Sequence, residues 1–187
     1  YFLPESISDV RRVSDSSSCF TFIFVGQLIR RKNVDQLLYA LSYCLHYTFE
    51  LTVIGDGPEG DYLRDLSEKL IPGRVRWINH LDMSEVPQYI ANSDCLVLPS
   101  RHDGWGVVVS EALMVGTPVI CSDACGSAGV VLASGVGGVF SRDNLSEFIS
   151  LLDTVLSNDP LSYSDRSKLR NWAKYLGASE GSKYLRG

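Results

Sequence analysis

No stretch of this sequence approaches the roughly 20 consecutive apolar residues of a membrane-spanning helix. The longest candidate, 130–140, is short and broken by Gly135, Gly137 and Gly138. Positive charge is also in short supply. Lys and Arg number 17 against 22 Asp and Glu, and the formal net charge of −5 argues against a nucleic-acid surface. A small anionic ligand is still allowed, because a local cluster of cations decides that. Histidines number three, and the five cysteines are odd in number and sit mostly inside apolar runs. Cys121 and Cys125 lie four apart, but no second Cys or His pair completes a zinc set. Metal binding is not expected, and the thiols read as reduced, buried groups of a cytoplasmic protein. No internal repeat and no secretory leader pattern is visible. The chain begins at Tyr1 rather than Met, which reads as a piece of a longer protein whose start could hide a leader.

What is present suits one globular domain. A length of 187 residues can enclose a full core, and 45% hydrophobic with 21% charged residues is ordinary. Residues 1–19 carry Pro4, Asp9, Arg11, Arg12 and a serine-rich run, the composition of a linker or entry segment. From 20 onward, short β-forming runs alternate with helical patterns. Strands are predicted at 20–26, 51–54, 75–78, 94–99, 118–121 and 137–140. A helix starts at Asn33, with Val34, Leu37, Leu38, Leu41 and Leu45 on one face, His46 near its end, and Asn33 with Gln36 as a capping box. A second helix carries Tyr62, Leu63, Leu66 and Leu70, and Pro87 opens a short third. Val107 to Met114 is apolar enough for a buried helix that Gly116 and Pro118 stop. Leu145, Phe148, Ile149, Leu152 and Leu156 make a further amphipathic helix capped by Asn144 and Glu147. This rhythm predicts an α/β fold: a Rossmann-like, doubly wound parallel sheet of about six strands with helices on both faces. Residues 20–158 would form it, and 159–187, with Tyr163, Leu169, Trp172 and Tyr175, would add tail helices.

The chain is organised around Ser100-Arg101-His102-Asp103-Gly104-Trp105-Gly106-Val107 and the helix that follows. Strand, glycine-bearing loop, helix, strand is an order that builds an anion site. Gly104 and Gly106 allow a sharp turn and close backbone approach to a ligand. The N–H groups of the helix's first turn then face that ligand, helped by the helix dipole. Two carboxylates flank the site, Asp103 and, eight positions on, Glu111. A helical segment of that length spans roughly 12 Å, so the two acids suit opposite ends of a long ligand whose middle is anionic. A nucleotide-sugar, with ribose diol, diphosphate and sugar hydroxyls, has that layout.

Other strand ends add to this. Gln27-Leu28-Ile29-Arg30-Arg31-Lys32 is a basic turn at the carboxyl end of the first strand, where ligands bind in open parallel sheets. Gly26-Gln27-Leu28 stands where a nicotinamide dinucleotide site would carry G-x-G-x-x-G, which disfavours a dehydrogenase. Gly55-Asp56-Gly57-Pro58 is a turn in its own right. Asn79-His80-Leu81-Asp82 follows the third strand, and no Asp or Ser at motif spacing makes His80 a base.

Asp103-(seven residues)-Glu111 with Gly104-Trp105-Gly106, followed by Gly116-Thr117-Pro118-Val119-Ile120, resembles the E-x7-E signature of retaining glycosyltransferases of family 4, "group 1". The resemblance covers residues about 20 to 155 and implies the donor-binding, C-terminal half of a two-domain GT-B fold, the N-terminal acceptor domain lying outside this chain. The family's first Glu is Asp103 here, which keeps the charge and shortens the reach. By resemblance, Asp103 meets the donor sugar's hydroxyls and Glu111 the ribose. Lys32 falls on a family lysine that touches the diphosphate. Gln27 falls on the family arginine at that loop, so Arg30 or Arg31 would supply the missing charge. Gly26, Gln27, Arg31, Lys32, Gly104, Trp105, Gly106 and Val107 become the diphosphate site, with Lys32, Asp103 and Glu111 as its catalytic groups. Gly55 and Gly57 would edge the cleft, and Asn79, His80 and Leu81 would offer backbone to the base. The family's Gly-Gly-x-Pro-Glu run is poorly kept: Gly126 fits, but Gly129 stands at the glutamate position.

What the resemblance implies is transfer from a UDP- or GDP-sugar to a saccharide or lipid-linked saccharide, with anomeric retention and no metal or other cofactor. The isolated domain is expected to bind donor weakly and transfer nothing. The full-length protein is expected in the cytoplasm, with peripheral membrane contact an option. A nucleotide-sugar epimerase of the same fold and a non-catalytic nucleotide-sugar-binding module are the alternatives.

Overall fold

The structure, a computed structural model, describes residues 19–176. The linker assigned to 1–19 therefore lies outside the described residues except for Cys19. Six strands form one sheet: β1 (Phe20–Val25), β2 (Phe49–Ile54), β3 (Val75–Ile78), β4 (Cys95–Leu98), β5 (Val119–Ser122) and β6 (Gly137–Phe140), in spatial order β3-β2-β1-β4-β5-β6. Every pairing is parallel. A parallel sheet is covered on both faces, so its central strands are buried and largely apolar. Accordingly all of β4 and β5 is buried, and in β1 Phe22, Ile23 and Phe24 are fully buried.

The helices are α1 (Val34–Ser42), α2 (Gly60–Leu70), α3 (Val86–Ala91), α4 (Val107–Met114), α5 (Ala128–Ser134), α6 (Leu145–Ser157) and α7 (Tyr163–Ala173). Parallel strands need crossover connections, and here these place helices around the sheet. α6 joins α1, while α3, α4, α5 and α7 contact one another in a chain of pairs. The result is a Rossmann-like α/β layer structure. Stacked Phe140 and Phe148, 4.0 Å apart at the ring centroids, seat α6 on β6. The cap expected at α6 is present: Asn144 accepts from the Glu147 amide at 3.1 Å, and the Glu147 carboxylate accepts from Ser141 N at 2.9 Å.

Two local expectations are corrected and one helix is added. Asn33 and Gln36 do not form a capping box. Asn33 sits in the left-handed region at φ 59°, ψ 35°, makes no side-chain cap bond, and donates instead to the Gln36 side chain and to Pro99 O. The pull comes from the end of β4, where Arg101 Nε also donates to Asn33 Oδ1 at 2.9 Å. α5 is an additional helix. It was not legible because its seven residues, flanked by glycines, leave only Val131 buried and so show no amphipathic repeat. His46 lies beyond the last turn of α1, because that helix ends at Ser42 and the chain turns through Cys44 and Tyr47.

The strand order reverses at β1, whose neighbours are β2 on one side and β4 on the other. Loops leaving the carboxyl ends of β1 and β4 diverge to opposite faces, and the crevice between them is where such sheets receive ligands. Both the basic turn and the glycine loop issue from those two strand ends.

Candidate functional site

The loop after β1 closes through a 3-10 turn at Arg30–Lys32. Its partner after β4 runs from Pro99 to Gly106, and the two are tied together. Arg101 N donates to Arg31 O at 2.8 Å, and Arg31 Nη1 donates to His102 O at 3.4 Å. Lys32 Nζ meets Asp103 Oδ2 at 2.5 Å, and Ser100 Oγ approaches the same oxygen at 3.4 Å. Arg31 thus reaches the loop after β4, whereas Arg30 lies near Tyr62 of α2 and holds that phenol's upward shift in check. Gln27 is exposed, and Gly26 lies under the stem of Lys32, whose Cε passes 3.6 Å from where a β-carbon on Gly26 would be.

A third loop supports the second. Asp103 N donates to Ala124 O and Gly126 N donates to Asp103 O, each at 3.1 Å, forming an isolated parallel bridge between Asp103 and Cys125. No local pattern marks this clamp, or Ser100, Ser122 and Arg101 as its supports. Ser122 Oγ donates to Ser100 O at 2.5 Å. Cys125 Sγ lies 3.7 Å from Leu98 O; a hydrogen bond from Cys121 pulls the Cys125 thiol down to about 7 and pushes Cys121 up. Both thiols are buried.

From Gly104 the chain enters α4. Gly106 is left-handed at φ 66°, ψ 61°, a conformation that glycine adopts without strain. Among the described residues, the amides of 104, 105, 106, 107 and 108 take no protein acceptor; the first bonded amide is Val109, to Gly106 O at 2.8 Å. Free N–H groups at a helix start and the helix dipole both favour negative charge there. Trp105 folds back so that its Nε1 donates to Ser110 Oγ at 3.2 Å, and the residue is 48% exposed. Val107 is exposed as well. Ser127 Oγ is a buried side-chain oxygen with no hydrogen-bond partner among the described residues, and it lies 3.1 Å from where a β-carbon on Gly106 would stand.

Glu111 lies one turn along α4 from Val107, on the helix's less buried side, while Val109, Ser110, Ala112 and Leu113 face the core. Burial raises its carboxyl above the ordinary range. No hydrogen bond or ion pair commits this carboxylate to a neighbour among the described residues.

The remaining candidates are placed less directly. Gly55 and Gly57 serve the scaffold: β-carbons there would stand 1.9 Å from Gly26 O and 2.4 Å from Leu28 O. They let the turn after β2 run against the loop after β1. Asn79 is exposed and its Oδ1 accepts from Arg64 Nη2 at 2.5 Å; His80 is exposed and Leu81 half-buried on the same loop. Among the described residues no group of three or more His, Cys, Asp or Glu could hold a metal ion, and no helix is long and apolar enough to cross a membrane.

A six-stranded, all-parallel sheet with its order reversed at β1 and helices packed around it defines the class: a Rossmann-like α/β domain. Residues 9–175 match the family model "Glycosyl transferases group 1", and the chain belongs to that family. Its curated relatives include glycogen synthase of Mycobacterium tuberculosis, 28% identical over 149 residues, 78% of this chain and 36% of that protein. Lipopolysaccharide glucosyltransferase WaaG of Escherichia coli is 28% identical over 157 residues, 80% of this chain and 40% of that protein. A crystal structure of WaaG superposes with a TM-score of 0.70 at 26% identity, covering 83% of this chain and 42% of that one. The C-terminal domain of LpcC from Francisella tularensis, at 20% identity and a TM-score of 0.71, shares the fold over 83% of this chain and 86% of its own. The chain therefore spans less than half the length of the curated relatives described, and corresponds to a C-terminal-type domain of a GT-B glycosyltransferase.

Proposed function

We propose that this chain is the donor-binding half of a retaining glycosyltransferase. It would take a UDP- or GDP-sugar and pass the sugar, without a metal, to a saccharide or lipid-linked saccharide held by an N-terminal domain. The observation that carries this reading is the set of amides at 104–108 without a protein acceptor, on the loop after β4 that Lys32 and Arg31 bind at the point where the strand order reverses. Relatives named as a lipopolysaccharide glucosyltransferase and a glycogen synthase support both acceptor classes. A cytoplasmic site of action, at the membrane surface for a lipid-linked acceptor, fits this reading.

The chemistry asked of the chain is electrostatic. Negative charge grows on the diphosphate as the sugar leaves, and prearranged N–H donors and cations stabilise it. The amide nest, Lys32 and Arg31 supply that stabilisation, and protein cations do the work that a divalent ion does elsewhere. The exposed loop at Asn79, His80 and Leu81 offers main-chain groups to the base. Glu111, with a carboxylate free of other partners, takes the ribose diol, and Asp103 takes sugar hydroxyls. The acceptor's proton passes to the departing phosphate oxygen, so the chain needs no base of its own.

A calorimetric and thermal-shift panel of UDP- and GDP-sugars tests the reading. A donor at 100 times its dissociation constant stabilises the fold by about 2.7 kcal/mol, and Lys32→Ala and Glu111→Ala each remove most of that. No response from any donor, or equal responses from parent and both variants, rejects it. Transfer measured against epimerisation in the full-length protein separates it from an epimerase.

A further inference from the structure

The cation assigned to the diphosphate and the acid assigned to the sugar are each other's partner. Lys32 Nζ and Asp103 Oδ2 lie 2.5 Å apart with side chains only 15% and 12% exposed. The pair is fixed on its acid side by the Ser100 hydroxyl and by main-chain bonds to Ala124 and Gly126. A covered charge that loses its partner and gains no other is costly. A ligand bringing phosphate alone draws on Lys32 and leaves Asp103 facing an anion. One bringing hydroxyls alone leaves Lys32 without its counter-charge. A ligand with both ends replaces both partners together.

We propose that the Lys32–Asp103 pair makes Asp103 a specificity-determining residue, coupling the two ends of the site so that it prefers an intact nucleoside-diphosphate sugar to the nucleoside diphosphate left after transfer. This rests on the donor-site reading above. The self-neutralised lysine holds a bare diphosphate weakly, which favours release of the spent nucleotide. An acid that only reads the sugar would leave the affinity for bare diphosphate untouched. The coupling instead makes that affinity depend on Asp103 through Lys32.

The test uses the 187-residue chain, its Asp103→Asn and Lys32→Ala variants and the double variant. Pyrophosphate, UDP, GDP, UDP-glucose and GDP-mannose are titrated by calorimetry. Asp103→Asn is expected to tighten pyrophosphate and the nucleoside diphosphate at least threefold, and to lower the preference for the sugar-bearing form at least tenfold. In the Lys32→Ala background the same change should tighten pyrophosphate by less than half that factor, the non-additivity expected of residues in contact. Unchanged or weaker pyrophosphate binding in Asp103→Asn overturns the coupling, as does an equal change for nucleotide and nucleotide-sugar. Side-chain 15N spectra of the unliganded chain check the pair itself. A Lys32 ammonium signal protected from exchange in the parent and altered in Asp103→Asn supports it, and identical signals overturn it. If neither nucleotide-sugar binds the parent, the donor reading fails, while the pyrophosphate and spectral arms still decide the coupling.

Discussion

A β-carbon placed on Gly126 would stand 1.8 Å from the carbonyl oxygen of Gly104. The obstacle is backbone, which cannot swing aside as a side chain does. Gly126→Ala must therefore push the loop after β5 away from the glycine loop, breaking the two main-chain bonds that flank Asp103. We expect a loss of about 3 kcal/mol in urea unfolding, the upper end of what most destabilising substitutions cost. Diphosphate affinity should fall tenfold or more, because the amides it needs are carried on the displaced loop. Full retention of both would mean that the clamp is not what sets the loop.

Glu111 is half-buried and its carboxyl is raised by desolvation. Between the ordinary carboxylate pKa and that raised value, the folded state binds more protons than the unfolded one, so stability falls as pH rises through the window. Above it the charged form carries its full cost. Glu111→Gln should therefore be more stable than the parent at pH 7, with the difference shrinking as pH falls through that window to the ordinary carboxylate pKa. Donor affinity should fall together with this gain, a trade expected where a group is held for binding. Urea unfolding at pH 4 to 7 checks the first part; a variant less stable at pH 7 would show the carboxylate already satisfied within the fold.

Much of this was legible before any coordinates. β4 and β5 are buried in every position because both faces of the sheet are covered, and short apolar runs closed by Pro99 or opened after Pro118 carry that signal. α4 was equally plain, lying between Gly106 and Gly116. What escaped was long-range. The Lys32–Asp103 contact joins residues 71 apart in sequence, and it exists because β1 lies beside β4, which periodicity does not reveal. Gly55 and Gly57 read as turn formers, yet their small size matters for the passage of a loop from another strand. Gly126 matched a family position, but the contact it permits with Gly104 had no local signature.

Asn33 shows the same limit and offers a clean comparison. The pattern Asn-x-x-Gln suits a cap, but the residue is buried, left-handed and bonded to Gln36, Pro99 and Arg101. Asn33→Gly keeps the backbone conformation and loses only the side-chain bonds, at about 1–3 kcal/mol for buried polar partners left unpaired. Asn33→Ala adds the left-handed penalty of roughly 1–2 kcal/mol. Unfolding midpoints should rank parent above Asn33→Gly above Asn33→Ala. The reverse order of the two variants would remove backbone strain from the account.

Arg166 of α7 fastens the last described helix to the body. Its Nη1 donates to Ala91 O at 2.7 Å and its Nη2 donates to Ser93 O, while Asp94 lies 3.6 Å away. Asp94 in turn accepts from Thr21 N and Thr21 Oγ1, both at 2.8 Å, so one guanidinium links α7, the end of α3 and the start of β1. The side chain is 17% exposed, and the two carbonyls sit at a helix end where orphan acceptors need partners. Lysine can meet one carbonyl with its compact ammonium but not the fork that the guanidinium spans. Arg166→Lys should therefore cost about 1–2 kcal/mol and Arg166→Ala about 2–3, in line with hydrogen bonds to a charged group. Hydrogen exchange separates this from a global effect: amides of α7 should open first, while those of β1 and β4 keep their protection. Uniform loss across the sheet would mean that α7 and the sheet unfold as one unit, and that Arg166 holds the core rather than the tail.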